Sequence, residues 1–171
     1  MITIREDIQE THTFSLLVDN EAGVLARVIG LFSGRGYNIE SLTVAEVDKD
    51  SHTSRITIVS KGSPKTIDQI KNHLERLVPV HKVTDLTVEG PSVEREMALI
   101  KVLYTNENKE EILRLVEIYR AKIVDTTDKS FVFELTGAMD KINSFIDLLQ
   151  PLGLKDISRT GLAAIARGSK N

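Results

Sequence analysis

The chain has 171 residues, a formal net charge of −3 and no cysteine. That length suits one ordinary domain or two small ones. The missing thiols exclude disulfides, cysteine nucleophiles and cysteine metal sites, and the charge gives no general drive toward nucleic acid or an anionic membrane. Apolar residues at 41% and charged residues at 27% are the balance of a soluble globular protein. With no apolar run of signal-peptide or membrane-span length, a cytoplasmic location is expected.

Residues Thr13 to Asp19 alternate, with Phe14, Leu16 and Val18 on one face, and predict a strand. Gly23 then opens a helix whose Val24, Leu25, Val28, Ile29 and Phe32 form an apolar stripe. The glycines of Ser-Gly-Arg-Gly, at 34 and 36, end it. Tyr37 to Val47 is β-rich, Asp48 to Thr53 reads as a hairpin connection, and a third strand runs from Arg55 to Ser60. Ile67, Ile70, Leu74 and Leu77 mark a second helix, and Val83, Leu86 and Val88 a fourth strand.

After the turn Glu89-Gly90-Pro91-Ser92 the order begins again. Met97 to Tyr104 is nearly continuously apolar, as in a central strand. A helix carrying Ile112, Val116 and Tyr119 is expected to begin near Asn106. Lys122 to Thr126 and Phe131 to Thr136 flank the hairpin turn Thr127–Ser130. A last helix carries Ile142, Phe145, Ile146 and Leu149 until Pro151 stops it, and the tail 154–167 reads as a final strand kinked or bulged at Gly161.

Each half is thus β-α-β-β-α-β, the split βαβ motif, and the fold class is α+β with two ferredoxin-like domains. The boundaries expected are an extension at 1–10, a first domain at 11–89, a linker at 90–96 and a second domain at 97–171. Each half is marginal in size for burying a core alone, and the helix-free sheet faces need cover. Pairing of domains, within or between chains, is the expected solution.

Catalytic chemistry is not legible. His12, His52, His73 and His81 lack metal-site spacing and read as surface residues. Asp48-Lys49-Asp50 lacks the EF-hand ligand pattern. The loop 62–66 lacks the glycine spacing of a phosphate loop, and its Pro64 removes an amide donor. No nucleophile, base and orienter stand together, so neither catalytic nor metal residues are assigned. The third strand, Ser-Arg-Ile-Thr-Ile-Val-Ser-Lys, has none of the aromatics an RNA-recognition motif needs, and the acidic first loop would repel a phosphate.

That first loop, Asp19-Asn20-Glu21-Ala22-Gly23, carries the main functional question. Helix-start amides are unpaired and sit at the positive end of the dipole, so they suit a small carboxylate, with nearby acids suiting an ammonium. The same residues also serve as ordinary caps and turn formers. Physical chemistry alone leaves both readings open and leans toward capping.

The run Asn20 to Val44, NEAGVLARVIGLFSGRGYNIESLTV, resembles the ACT domain that opens the small regulatory subunit of acetolactate synthase. Val93 to Val102 resembles that family's linker into its second domain, and Ser158-Arg159-Thr160-Gly161 its C-terminal strand. The resemblance implies a non-catalytic subunit that activates a large catalytic subunit. It also implies feedback inhibition by branched-chain amino acids, usually valine, and a homodimer formed through the ACT domain. No cofactor is expected in this chain; thiamine diphosphate, FAD and Mg2+ would belong to the catalytic partner. The family's effector site, between two paired ACT domains, carries over to Asn20, Gly23, Val24 and Leu25, with Asn38 and Ile39. Backbone amides of Gly23 and Val24 would take the carboxylate, Asn20 and Asn38 would orient the polar end, and Leu25 and Ile39 would line the aliphatic pocket. A free-standing two-domain amino-acid sensor is the alternative.

Overall fold

The structure, a computed structural model, describes residues 8–169. Residues 1–7 of the expected extension lie outside that range. The chain divides into two units. One runs through Val93 and takes in the segment from Leu162 onward; the other spans Glu94–Gly161.

In the first unit β1 (Glu10–Asp19), α1 (Val24–Arg35), β2 (Ser41–Asp48), β3 (Thr53–Gly62), α2 (Pro64–Glu75) and β4 (Val80–Asp85) follow in the expected order. The sheet is antiparallel with strand order β2-β3-β1-β4. Phe14 lies opposite Ile58 and Leu16 opposite Ile56. These four pack against Val24, Val28 and Phe32 of α1 and Ile67, Ile70 and Leu74 of α2. Ser63 begins α2 as a true cap, its hydroxyl accepting from the Thr66 amide at 3.2 Å.

The intervening pairs, Thr13 opposite Val59 and Ser15 opposite Thr57, point to the helix-free face, yet all four residues are buried. Their cover is the last stretch of chain. Leu162 and Ala164 are buried in this unit. The Leu162 amide donates to Ser41 Oγ at 2.8 Å, and Thr43 Oγ1 donates to the Leu162 carbonyl at 3.0 Å. A short strand, β9 (Ala163–Ala166), follows, and Arg167 donates from its amide to Pro91 O at 2.8 Å. Residues beyond Gly161, expected within the 97–171 domain, group with the first unit in this structure. A buried leucine contributes about 1.5–3 kcal/mol, which local strand periodicity cannot assign to a partner.

The second unit holds β5 (Ser92–Leu103, from Glu94), α3 (Lys109–Tyr119), β6 (Lys122–Thr126), β7 (Ser130–Gly137), α4 (Met139–Leu149) and β8 (Leu154–Arg159). Strand order is β6-β7-β5-β8. Its core joins Ile100, Val102, Phe131 and Phe133 to Ile112, Val116, Ile142, Phe145 and Leu149. The first helix of this unit starts at Lys109 rather than near Asn106, because Asn108 Oδ1 holds the Thr105 amide at 2.8 Å in a turn ahead of it. Gly153, at φ 102°, turns the chain so close to β5 that a Cβ there would overlap the carbonyl of Leu103. Arg159 grips the buried Glu96 through Nε at 2.8 Å and Nη2 at 2.7 Å, and Nη1 reaches Asn143 at 2.9 Å. Hydrogen bonding to Glu96 raises the Arg159 pKa above its already high value.

Candidate functional site

The turn between β1 and α1 does not cap the helix. Gly23 occupies the cap position at φ 87°, no side chain hydrogen-bonds the helix start, and the first turn holds no acid. The acidic and amide side chains of this loop go elsewhere. Asp19 pairs with His81, and Asn20 Nδ2 donates to Glu46 Oε1 at 3.1 Å. The Asn20 amide donates to His52 O at 2.7 Å, tying the loop to the β2–β3 hairpin. The capping role that physical chemistry favoured is thereby corrected. Fixed by the sheet edge on one side, the side chains of Asp19 and Asn20 are not used on the helix end.

The backbone alone favours glycine at 23, because a left-handed conformation costs an L-residue roughly 1–2 kcal/mol; contact does not, since the space where a Cβ would stand is open, with no atom within 4 Å. The end of the helix is thus reachable by a ligand. Of the two amides expected to receive a carboxylate, that of Val24 already makes a long turn bond to Glu21 O at 3.3 Å. The Val24 side chain is core, and Leu25 is half-buried against the same core.

Asn38 and Ile39 lie beyond the other end of α1. Ser60, wholly buried, donates from Oγ to the Asn38 carbonyl at 2.5 Å, while Asn38 Nδ2 donates to Glu40 Oε1 at 2.6 Å. Ile39 is half-buried against the core. Just before them, Tyr37 sets its ring edge-on to Phe32 and shares a hydrogen bond with His73 Nδ1 at 3.2 Å. Partial burial, then the charges of Arg35 and Arg76, lower the His73 pKa, which favours a neutral ring that accepts from the phenol.

The six residues therefore form two groups, Asn20 to Leu25 at the start of α1 and Asn38 with Ile39 beyond its end, and the 12-residue helix runs about 18 Å at the helical rise. One protomer does not bring them together. Ser60 and Glu46, which hold the Asn38 carbonyl and the Asn20 amide, were not legible in the sequence, since each acts across strands, whereas Glu40 holds Asn38 from only two residues away.

His12 also departs from expectation. It is buried rather than on the surface, with Nδ1 2.7 Å from the buried Asp85 and Nε2 3.3 Å from Glu10. A cavity of about 260 Å3 lies in the same unit, lined by Thr84, Leu86, Gly90, Pro91, Ala166 and Arg167 among others. None of these is a predicted site residue. Among the described residues no group of three or more His, Cys, Asp or Glu could hold a metal, and no helix is long and apolar enough to cross a membrane.

The fold and the uncapped helix start define a two-domain protein of the ACT class. Residues 14–82 match the family of AHAS small subunit-like ACT domains, and residues 95–168 match the family described as small subunit of acetolactate synthase. A probable acetolactate synthase small subunit of Archaeoglobus fulgidus is 47% identical over 93% of this chain and 98% of its own. The acetolactate synthase small subunit of Aquifex aeolicus is 45% identical over 96% and 85%. The solved structure of the acetolactate synthase small subunit from Thermotoga maritima superposes with a TM-score of 0.80 at 45% identity, covering 94% of this chain and 99% of that one. The chain belongs to the acetolactate synthase small-subunit family, which is regulatory and non-catalytic.

Proposed function

We propose that this chain binds and activates a large catalytic subunit of acetolactate synthase and makes it sensitive to a branched-chain amino acid, L-valine first among them. Thiamine diphosphate, FAD and Mg2+ belong to that partner, and the complex is cytoplasmic. The observation that carries the reading is the open, uncapped start of α1 at Gly23, with the second half of the predicted site a helix length away. Two copies of the first unit, paired as a homodimer, would set the Gly23 loop of one against the Asn38–Ile39 turn of the other. The helix end then meets the effector carboxylate. Asn20 and Asn38 orient the polar end, and Leu25 and Ile39 bound the aliphatic group. Effector occupancy favours one of two arrangements of the dimer, and the catalytic subunit responds to that shift.

The test reconstitutes the large subunit with this chain and with Gly23→Asp, and follows acetolactate formation against L-valine and D-valine. Wild type is expected to raise activity and to confer inhibition by the L-isomer alone. Aspartate is among the residues that best tolerate a left-handed backbone, so Gly23→Asp is expected to keep activation and lose inhibition. Full valine inhibition of that variant would mean the site is misplaced. A wild-type chain that leaves enzyme activity unchanged would favour the free-standing sensor.

A further inference from the structure

We infer that the segment Leu162–Ala166 is a strap that carries effector occupancy from the first unit into the second; this rests on the reading of the first unit as the effector domain. Leu162 is 1% exposed and held at both its polar groups, its amide by Ser41 and its carbonyl by Thr43. Ser41 and Thr43 are the first and third residues of β2, and Ser41 follows Ile39 by only two positions. The backbone between them is registered on β3, where Glu40 donates to Val59 O at 2.8 Å and Ser41 lies opposite Val59. A ligand that fixes the Asn38–Ile39 turn therefore acts directly on the strand that clamps the strap.

The other end of the strap has little slack. Thr160, in the second unit, donates from its amide to Met97 O at 3.0 Å and accepts from the Met97 amide at 3.1 Å through Oγ1. Arg159 beside it is gripped by Glu96. Between the held Thr160 and the clamped Leu162 stands Gly161 alone, at φ 85°. The two hydroxyls satisfy the amide and carbonyl of the buried Leu162, and in doing so, one residue from an anchored strand end, they also fix the strap's register on β2.

The experiment pairs hydrogen exchange on the wild-type full-length chain with a double variant, Ser41→Ala with Thr43→Val, reconstituted with the large subunit. Saturating L-valine is expected to slow exchange across residues 162–166 of the wild type. The double variant is expected to bind L-valine by calorimetry and to activate as wild type does, while its half-inhibitory valine concentration rises about tenfold or more, within the usual span of coupling between sites. Exchange across 162–166 that ignores L-valine overturns the inference without any variant. An inhibition curve of the double variant that coincides with wild type overturns it too. A wild-type chain that binds no L-valine fails at the earlier step and overturns the effector reading and the strap together.

Discussion

At the start of α3, Glu110 and Glu111 stand in the first helical turn, and Asn108 ties the preceding loop down through Thr105 N and Leu152 O. At the start of α1 the first turn has no acid, the cap is a left-handed glycine, and the loop side chains bond to the neighbouring hairpin and to β4 instead. Neither helix has a side-chain cap, so the difference lies in who complements the dipole. In the second unit the chain does so itself; in the first it leaves that end free. One topology repeated twice thus yields one helix start complemented by acids of its own first turn and one that is not.

The largest expected effect lies where the second unit is self-satisfied. Arg159→Met leaves the buried Glu96 carboxylate short of its partner; because the guanidinium is itself partly in solvent, the loss should be about 1–3 kcal/mol, the cost of an unsatisfied buried acceptor. Urea unfolding checks this, and adding Glu96→Gln should recover part of the loss. A change within error would mean the pair is idle and the contrast between units overdrawn. A smaller effect sharpens the comparison by making α1 resemble α3. Ala26→Glu places an acid in the first turn of α1, which complements the dipole by about 0.3–1 kcal/mol and should weaken a carboxylate ligand roughly two- to fivefold. Calorimetry with L-valine reads it, and tighter binding would contradict the assignment of that helix end to a carboxylate.

The smallest effect is in pH. His73 has a folded pKa below its unfolded value, so the folded state binds fewer protons in that interval. Stability is therefore full above about pH 6.5, the unfolded histidine value, and falls as pH drops from there through the folded pKa. Protonation also removes the acceptor that Tyr37 uses beside the Asn38 turn. Thermal unfolding between neutral and mildly acidic pH should show a decline that Tyr37→Phe with His73→Gln abolishes.

Much of the architecture was legible locally. Alternation in Phe14, Leu16 and Val18 and the stripe Val24, Val28, Phe32 named both faces of the first core. What escaped has long-range partners. His12 looked like a surface residue because the carboxylate that holds it, Asp85, is 73 positions away. The tail was readable as a strand, but nothing in Leu162–Ala166 says that Ser41 and Thr43, on the far side of the chain, are its anchor. The acidic loop was left between two readings for the same reason. Its residue types fit a helix cap, and only the positions of His81 and Glu46 show them engaged elsewhere.

The return of Leu162 to the first unit also sets an order of assembly. A ribosome makes a chain from its N-terminus at about 5–20 residues per second, and domains generally fold as they emerge. Here the cover for Thr13, Ser15, Thr57 and Val59 is synthesised only after the whole of the second unit. The first unit is the first to be started and among the last to be finished, and a chain released early lacks the segment that covers this sheet face.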